Sequence, residues 1–148
     1  MYYDKTINEI IRITGSTNCI DRFVRLDRYT ADDNTIKALS GTNYGIKGLF
    51  IADDDSRKSY SLSKDETNEC YKNDWFKDKY SVNYTPTDVR VENIQDDEDF
   101  YSLLEKIDSD SRKIVFTHEW VLNEKSVQKY LTWFCQYANQ YGIQFKYL

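Results

Sequence analysis

The sequence predicts an α/β fold in which a mostly parallel sheet is flanked by helices. Segments with strand-like alternation and segments with helical periodicity follow one another along nearly the whole chain, an order typical of parallel sheets with helical crossovers. The last third has the clearest pattern, with an apolar strand, a long amphipathic helix and a second strand. At 148 residues with one proline, the chain is expected to form a single α/β domain, 1–148.

Two helices and two strands are predicted in the first third of the chain. A helix over 5–14 has isoleucines on one face and ends at Gly15, a residue that commonly stops helices. The alternating stretch 22–27 predicts a strand. Thr30 is the predicted N-cap of the next helix, and the apolar run 46–52 predicts a buried strand.

A capping box is predicted farther along, where Ser63 is followed three residues later by Glu66, before a helix to about Lys72. The final strand, helix and strand form a predicted β-α-β unit with parallel strands. The remaining predicted elements are short strands at 59–62, 80–84 and 89–91, a helix starting at the acidic run 96–99, a strand at 114–117, a helix at 124–141 and a strand at 143–147.

Composition and cysteine usage limit the classes of function. The net charge of −5 argues against nonspecific nucleic-acid binding, which needs clustered lysines and arginines. No apolar run approaches the roughly 20 residues of a membrane span, and the N-terminus shows no signal sequence. The three cysteines are widely spaced, with Cys135 on a predicted apolar helix face, which argues against a disulfide framework or zinc finger. We therefore expect a cytoplasmic protein with no nucleic-acid or membrane partner.

Polar clusters follow three of the predicted strands. In parallel α/β folds, ligand-binding residues collect just past the carboxyl ends of strands. If these strands are parallel neighbours, their ends meet at one edge of the sheet. The clusters are Arg25 and Asp27, the triplet Asp53-Asp54-Asp55, and Thr117-His118-Glu119-Trp120, which contains the only histidine.

Such an edge suits acid/base chemistry, because histidine titrates near neutral pH and a neighbouring carboxylate can hold its tautomer. Each of these residues also has a purely structural interpretation. The aspartates could lie in a solvated loop, and Arg25 could form an ion pair with one of them. His118 could be a hydrogen-bonded structural residue, and Trp120 could lie in the core. The stretch 84–92 places Asp88, Arg90 and Glu92 on one strand face. We interpret that face as a charged sheet edge that discourages aggregation.

Two further hypotheses come from the residue types. The chain has 13 tyrosines, 7 phenylalanines and 3 tryptophans, and aromatic side chains suit sugar faces and protein interfaces. A non-enzymatic carbohydrate- or protein-binding module is therefore one alternative. The other is a carboxylate-based, Mg²⁺-dependent phosphoesterase, which would bring together Asp53, Asp55 and either Asp88 or Glu119.

The order of motifs resembles the later part of the polysaccharide deacetylase-like (NodB-homology) family, whose members are distorted α/β barrels. The motifs are RLDRY, GIKGLFIADDDSRKSY, YTPTDVRVENI and IVFTHEW. By position, Arg25 matches the family's Arg motif, Asp53 and Asp55 its Asp motif, and His118 its late histidine. The resemblance implies a fold like part of a (β/α) barrel and a hydrolase that removes acetyl groups from a polysaccharide or glycan.

The resemblance also implies roles and a cofactor. His118 would protonate the leaving group, Glu119 or a strand-end aspartate would orient it, and Arg25 would hold the carboxylate network. Zinc is implied, but the family's paired-Asp strand and His-x-x-x-His motif are absent, so this chain has an incomplete zinc ligand set. We expect the C-terminal portion of a larger protein or a shortened relative, with open strand edges that favour a homodimer or a missing N-terminal part.

Overall fold

A computed structural model describes residues 2–52, 59–106 and 113–144 of the chain. They group into two compact units, the first reaching Pro86 and the second beginning at Thr87. Their strands form a four-stranded and a two-stranded sheet, and three of the four strand pairs are parallel. The predicted α/β class, with mostly parallel pairing and flanking helices, is therefore confirmed.

The first unit contains a four-stranded sheet in the order β1-β2-β4-β3. β1 and β4 run parallel to β2, whereas β3 is antiparallel to β4. The elements of this unit are α1 (Tyr2–Thr14), β1 (Phe23–Val24), α2 (Asp33–Ser40), β2 (Gly48–Ile51), α3 (Lys64–Asn73), β3 (Phe76–Lys77) and β4 (Asn83–Pro86).

Apolar residues of β2 form the centre of this unit's core. Leu49 and Ile51 are fully buried, as is Ile36 of α2. At Gly48 a side chain would meet the ring of Phe23 on the adjacent strand, since a Cβ there would lie 2.1 Å from the nearest ring atom. The absence of a side chain at Gly48 therefore lets Phe23 cover the sheet at this point.

Several local predictions for this unit are confirmed and several are wrong. The helix ending at Gly15 and the capping box of Ser63 are present. The N-cap of α2 is Asp32, whose carboxylate accepts from the Thr35 amide, and not Thr30, which ends a 3₁₀ turn. The segment 59–62 is a turn and not a strand. The two-residue strand β3 was not predicted.

The second unit contains a two-stranded parallel sheet and two helices. Val89 pairs with Val115 and Arg90 pairs with Phe116. The core lies between the helices, where Phe100 contacts the rings of Tyr130, Trp133 and Phe134. The elements are β5 (Val89–Arg90), a 3₁₀ turn (Val91–Asn93), α4 (Asp97–Lys106), β6 (Val115–Phe116), a 3₁₀ turn (Glu119–Val121) and α5 (Lys125–Gln140).

Both helices predicted for this part of the chain are confirmed, and the last predicted strand, 143–147, lies mostly outside the described residues. Cys135 is exposed and not on the apolar face of α5, because Phe134 and Ala138 occupy that face. All three cysteines are free thiols. Within the described ranges, none of the helices is long and apolar enough to cross a bilayer.

Candidate functional site

The second unit brings His118 and Glu92 together at the carboxyl ends of two parallel strands. Arg90 at the end of β5 pairs with Phe116 at the end of β6. Two residues past that pair come Glu92, in the 3₁₀ turn Val91–Asn93, and His118, just before the 3₁₀ turn Glu119–Val121. Because the strands are parallel and in register, both side chains reach the same edge of the sheet, the usual position of ligand-binding groups in such folds.

Glu92 uses both carboxylate oxygens at this edge. One oxygen, Oε1, makes a hydrogen-bond contact with Nδ1 of His118. The other, Oε2, accepts a hydrogen bond of 2.9 Å from the hydroxyl of Thr117. The side chains of His118 and Glu92 are only 13% and 15% exposed. A carboxylate on Nδ1 favours a proton there and fixes the ring orientation.

The electrostatics of Glu92 favour its ionised form. Burial raises the pKa of this carboxyl group, but hydrogen bonds from His118, the backbone and Thr117 lower it by more, and the resulting pKa is below its ordinary value. Glu92 is therefore a carboxylate at neutral pH and can accept the Nδ1 proton. The pair has the composition of an acid/base site in which the carboxylate stabilises an imidazolium.

Aromatic rings hold the imidazole on two sides. The Trp120 ring stacks on His118 with 4.2 Å between centroids and 22° between planes. Phe116 meets the imidazole edge to face at 5.7 Å. Trp120 is 67% exposed, which rules out the core position considered from the sequence. An indole held in place and largely exposed offers an apolar surface on which a sugar ring can stack.

The carboxylate that contacts the imidazole is not the one predicted. Glu119 is exposed at the start of the 3₁₀ turn, whereas Glu92 contacts Nδ1 of His118. The predicted orienting role of Glu119 is therefore corrected in favour of Glu92. The sequence did contain a usable signal, since Glu92 follows a predicted strand as His118 does. It was missed because the face with Asp88, Arg90 and Glu92, in the stretch 84–92, was interpreted as a charged sheet edge.

The other predicted site residues belong to the first unit or lie outside the described residues. Arg25 follows β1 and is exposed, with its guanidinium 5.8 Å from the centre of the Tyr29 ring. Asp53 and Asp55 lie outside the described residues. The strands β1 and β2 are parallel neighbours as predicted. β6 pairs with β5 in a separate sheet, so the expectation that three strand ends line one sheet edge is wrong for His118.

The implied zinc does not fit the residues that can be described. Among them, no three histidine, cysteine, aspartate or glutamate side chains are grouped to hold a metal ion. Asp88, considered as a magnesium ligand, accepts a hydrogen bond of 2.7 Å from the Ile114 amide and lies 3.8 Å from Nζ of Lys113. Asp88 therefore holds the start of β6 beside β5, and we assign no step to a metal.

Comparison with known proteins gives no relative from which a function can be transferred. No protein-family model matches the chain, and no curated protein or solved structure matches it significantly.

Proposed function

We propose that this protein is a polysaccharide deacetylase-like hydrolase acting in carbohydrate modification, with a fold related to part of a distorted (β/α) barrel. The observation that carries the proposal is the partly buried pair of His118 and Glu92 just past the carboxyl ends of two parallel strands. The imidazole contacts both a carboxylate, which the Thr117 hydroxyl holds in turn, and an exposed indole.

The proposed role of His118 is to protonate the leaving group. Hydrolysis of an acetyl group adds water to the carbonyl carbon and breaks its bond to the sugar nitrogen or oxygen, which must gain a proton as acetate departs. His118 donates that proton from Nε2 while Glu92 stabilises the ring through Nδ1. The hydrogen bond from Thr117 keeps Glu92 in place. The pair accounts for protonation of the leaving group only.

Trp120 supports carbohydrate as the substrate class. Its ring lies against the imidazole and is two-thirds exposed, so a pyranose ring stacked beside it would lie close to His118. The same exposure favours a second candidate, a carbohydrate-binding module without catalysis, because an aromatic platform alone can bind a sugar. Turnover separates the two candidates.

The test measures acetate release from acetylated xylan and from chito-oligosaccharides, with and without added Zn²⁺ or Co²⁺. We expect release by the unmodified protein and a loss of about 10²- to 10⁴-fold in kcat for His118→Ala, the range that general acid/base groups contribute. Glu119→Gln is the matched control and should keep its activity. If the unmodified protein releases no acetate under any of these conditions, the hydrolase proposal is wrong, and glycan binding without turnover would support the module.

A further inference from the structure

The first unit contains an open cavity between the end of α3 and β3. Its volume is about 440 Å³, within the roughly 300–1,000 Å³ typical of small-molecule sites. The cavity is lined by Glu69, Asn73, Trp75, Phe76 and Lys77. None of these residues belongs to the pair formed by His118 and Glu92.

The backbone on both sides of Trp75 is fixed by β4. Asp74 ends α3 in the left-handed conformation, with φ of 61°, so the chain turns sharply into β3. The Asp74 carbonyl accepts a hydrogen bond of 2.9 Å from the buried Thr85 hydroxyl. Phe76 pairs with Tyr84 in the antiparallel register. Trp75 is therefore anchored at its backbone while its indole is 54% exposed.

A half-exposed aromatic side chain on a fixed backbone is suited to binding, because the backbone loses little further freedom when a ligand stacks on the ring. The indole of Trp75 can lie against the apolar face of a sugar ring, as aromatic rings with one wet side do. Phe76, which is partly buried, continues the apolar wall of the cavity.

The polar groups beside the indole suit hydroxyl groups. Glu69 and Asn73 are four residues apart on α3 and so share one helix face, and Lys77 follows from β3. In the described part of the chain, these three side chains make no hydrogen bond or ion pair with other protein groups. They offer a carboxylate acceptor, an amide and an ammonium donor. One negative and one positive charge cancel, so the cavity does not select for a phosphate or another strong anion.

We propose that this cavity is a glycan subsite that binds one ring of a neutral polysaccharide. Trp75 stacks on the ring, and Glu69, Asn73 and Lys77 bind its hydroxyl groups. The choice of a polysaccharide as the ligand rests on the proposed function. The subsite is nevertheless an additional site, because it would bind the polysaccharide through the first unit and would take no part in the reaction at His118.

The test is calorimetric titration of the full chain carrying His118→Ala, which prevents turnover, with the hexamers of N-acetylglucosamine and of xylose. We expect binding of at least one hexamer, with Kd raised tenfold or more, about 1.4 kcal/mol, when Trp75→Ala is added. Trp75→Phe keeps an aromatic platform and should retain most of the affinity. Tyr2→Ala, at an aromatic residue that is 88% exposed on α1, is the matched control and should leave Kd unchanged.

Two results would overturn the subsite. One is the absence of binding by either hexamer up to about 10 mM, a limit weaker than most specific recognition. The other is binding that Trp75→Ala leaves unchanged, for example binding that only Trp120→Ala removes. Circular dichroism of each variant checks that the fold is retained. If Trp75→Ala does not fold, Asn73→Ala and Lys77→Ala, at exposed positions that line the cavity, keep the test decisive, because an unchanged Kd in both would overturn the subsite.

Failure of the subsite and failure of the proposed function give different results. Hexamer binding that depends on Trp75, together with no acetate release by the unmodified protein, would leave the subsite standing and remove the hydrolase. Acetate release that depends on His118, together with hexamer binding indifferent to Trp75, would leave the hydrolase standing and remove the subsite.

Discussion

Two buried tyrosines of the first unit differ in whether the side-chain hydroxyl group has a hydrogen-bond partner. Tyr29 and Tyr60 are both 3% exposed, and their rings meet edge to face. The Tyr60 hydroxyl donates a hydrogen bond of 2.8 Å to the Phe50 carbonyl. The Tyr29 hydroxyl has no hydrogen-bond partner within the described residues. Burying a hydroxyl without a partner costs about 1–3 kcal/mol, whereas a satisfied one is net favourable.

The same substitution should therefore have opposite effects at the two positions. We expect Tyr29→Phe to raise the free energy of unfolding by about 1 kcal/mol, because it removes an unpaired polar group, and Tyr60→Phe to lower it by about 1–2 kcal/mol, because it leaves the Phe50 carbonyl without its donor. Urea unfolding of the two variants measures both changes. Shifts of the same sign would show that the two hydroxyls do not differ as described.

Glu92 links the candidate site to the pH dependence of stability. Its pKa in the folded protein lies below the ordinary value of 4.5, so it stabilises the fold above that value, and this stabilisation is lost as the pH falls through the folded pKa. We expect Glu92→Gln to lose less stability than the unmodified protein as the pH is lowered below 4.5. Urea unfolding at a series of pH values measures this difference.

The matched control for this pH series is Glu105→Gln, at an exposed position of α4. It should keep the pH dependence of the unmodified protein. Parallel pH profiles for Glu92→Gln and the unmodified protein would mean that the contacts of Glu92 with His118 and Thr117 do not contribute to stability.

Site residues could be predicted from the sequence where the pattern lay within a few neighbouring residues, but not where their contact depends on which strands pair. The position of His118 just past an apolar strand could be predicted, because both features lie within a few residues. Its partner Glu92 is 26 positions away along the chain. Only the register of β5 against β6 brings them together, and that register comes from pairing that local patterns do not specify.

Helix starts illustrate the same limit for whole elements. The capping box of α3 was predicted from the spacing of Ser63 and Glu66, and both of its hydrogen bonds are present. The start of α2 was misplaced by two residues, because Thr30 and Asp32 are both good N-cap types. The choice is made by the preceding 3₁₀ turn, in which Arg28 and Tyr29 have positive φ. Such a conformation is uncommon for these residue types, and no local pattern predicted it.

The capping box gives a prediction for α3. Ser63→Ala removes the acceptor for the Glu66 amide, a hydrogen bond of 3.2 Å, and should lower the free energy of unfolding by about 0.5–2 kcal/mol. Ser63→Asn should restore most of it. Ser126→Ala, at an exposed position in the first turn of α5, is the control and should have little effect. Equal effects of the two alanine variants in urea unfolding would contradict the capping role of Ser63.

Two of the predicted strands lie where they were expected but are shorter than predicted. The stretches 22–27 and 114–117 each contain only two residues in ladder pairing, β1 and β6. The apolar patterns report burial, and burial extends beyond the hydrogen-bonded ladder. The positions of β1, β2 and β6 were nevertheless sufficient to predict mostly parallel pairing, because helices separate them along the chain.

At the scale of the whole molecule, the α/β class could be predicted from the sequence, but the division of the chain into two compact units could not. Each compact unit has a core of its own, with Leu49 buried in the first and Phe100 in the second. The boundary at Pro86 has no glycine- or serine-rich linker, and β5 begins only three residues after β4 ends. The sequence therefore carried no composition change to mark the two units. The grouping depends on which strands pair.

The central claim is that His118 acts as an acid held by Glu92, so that the candidate site belongs to the carboxyl ends of β5 and β6. In this account Glu92 is a positioning residue, because it touches the imidazole and not the reacting atoms. Its loss should then affect the rate of the chemical step more than substrate binding.

The most direct measurement compares kcat and KM for acetate release by the unmodified protein, Glu92→Gln and Glu119→Gln near pH 7. We expect Glu92→Gln to lower kcat by about 10- to 100-fold with KM nearly unchanged, and Glu119→Gln to keep both constants. A loss of kcat in Glu119→Gln with full activity in Glu92→Gln would contradict this expectation.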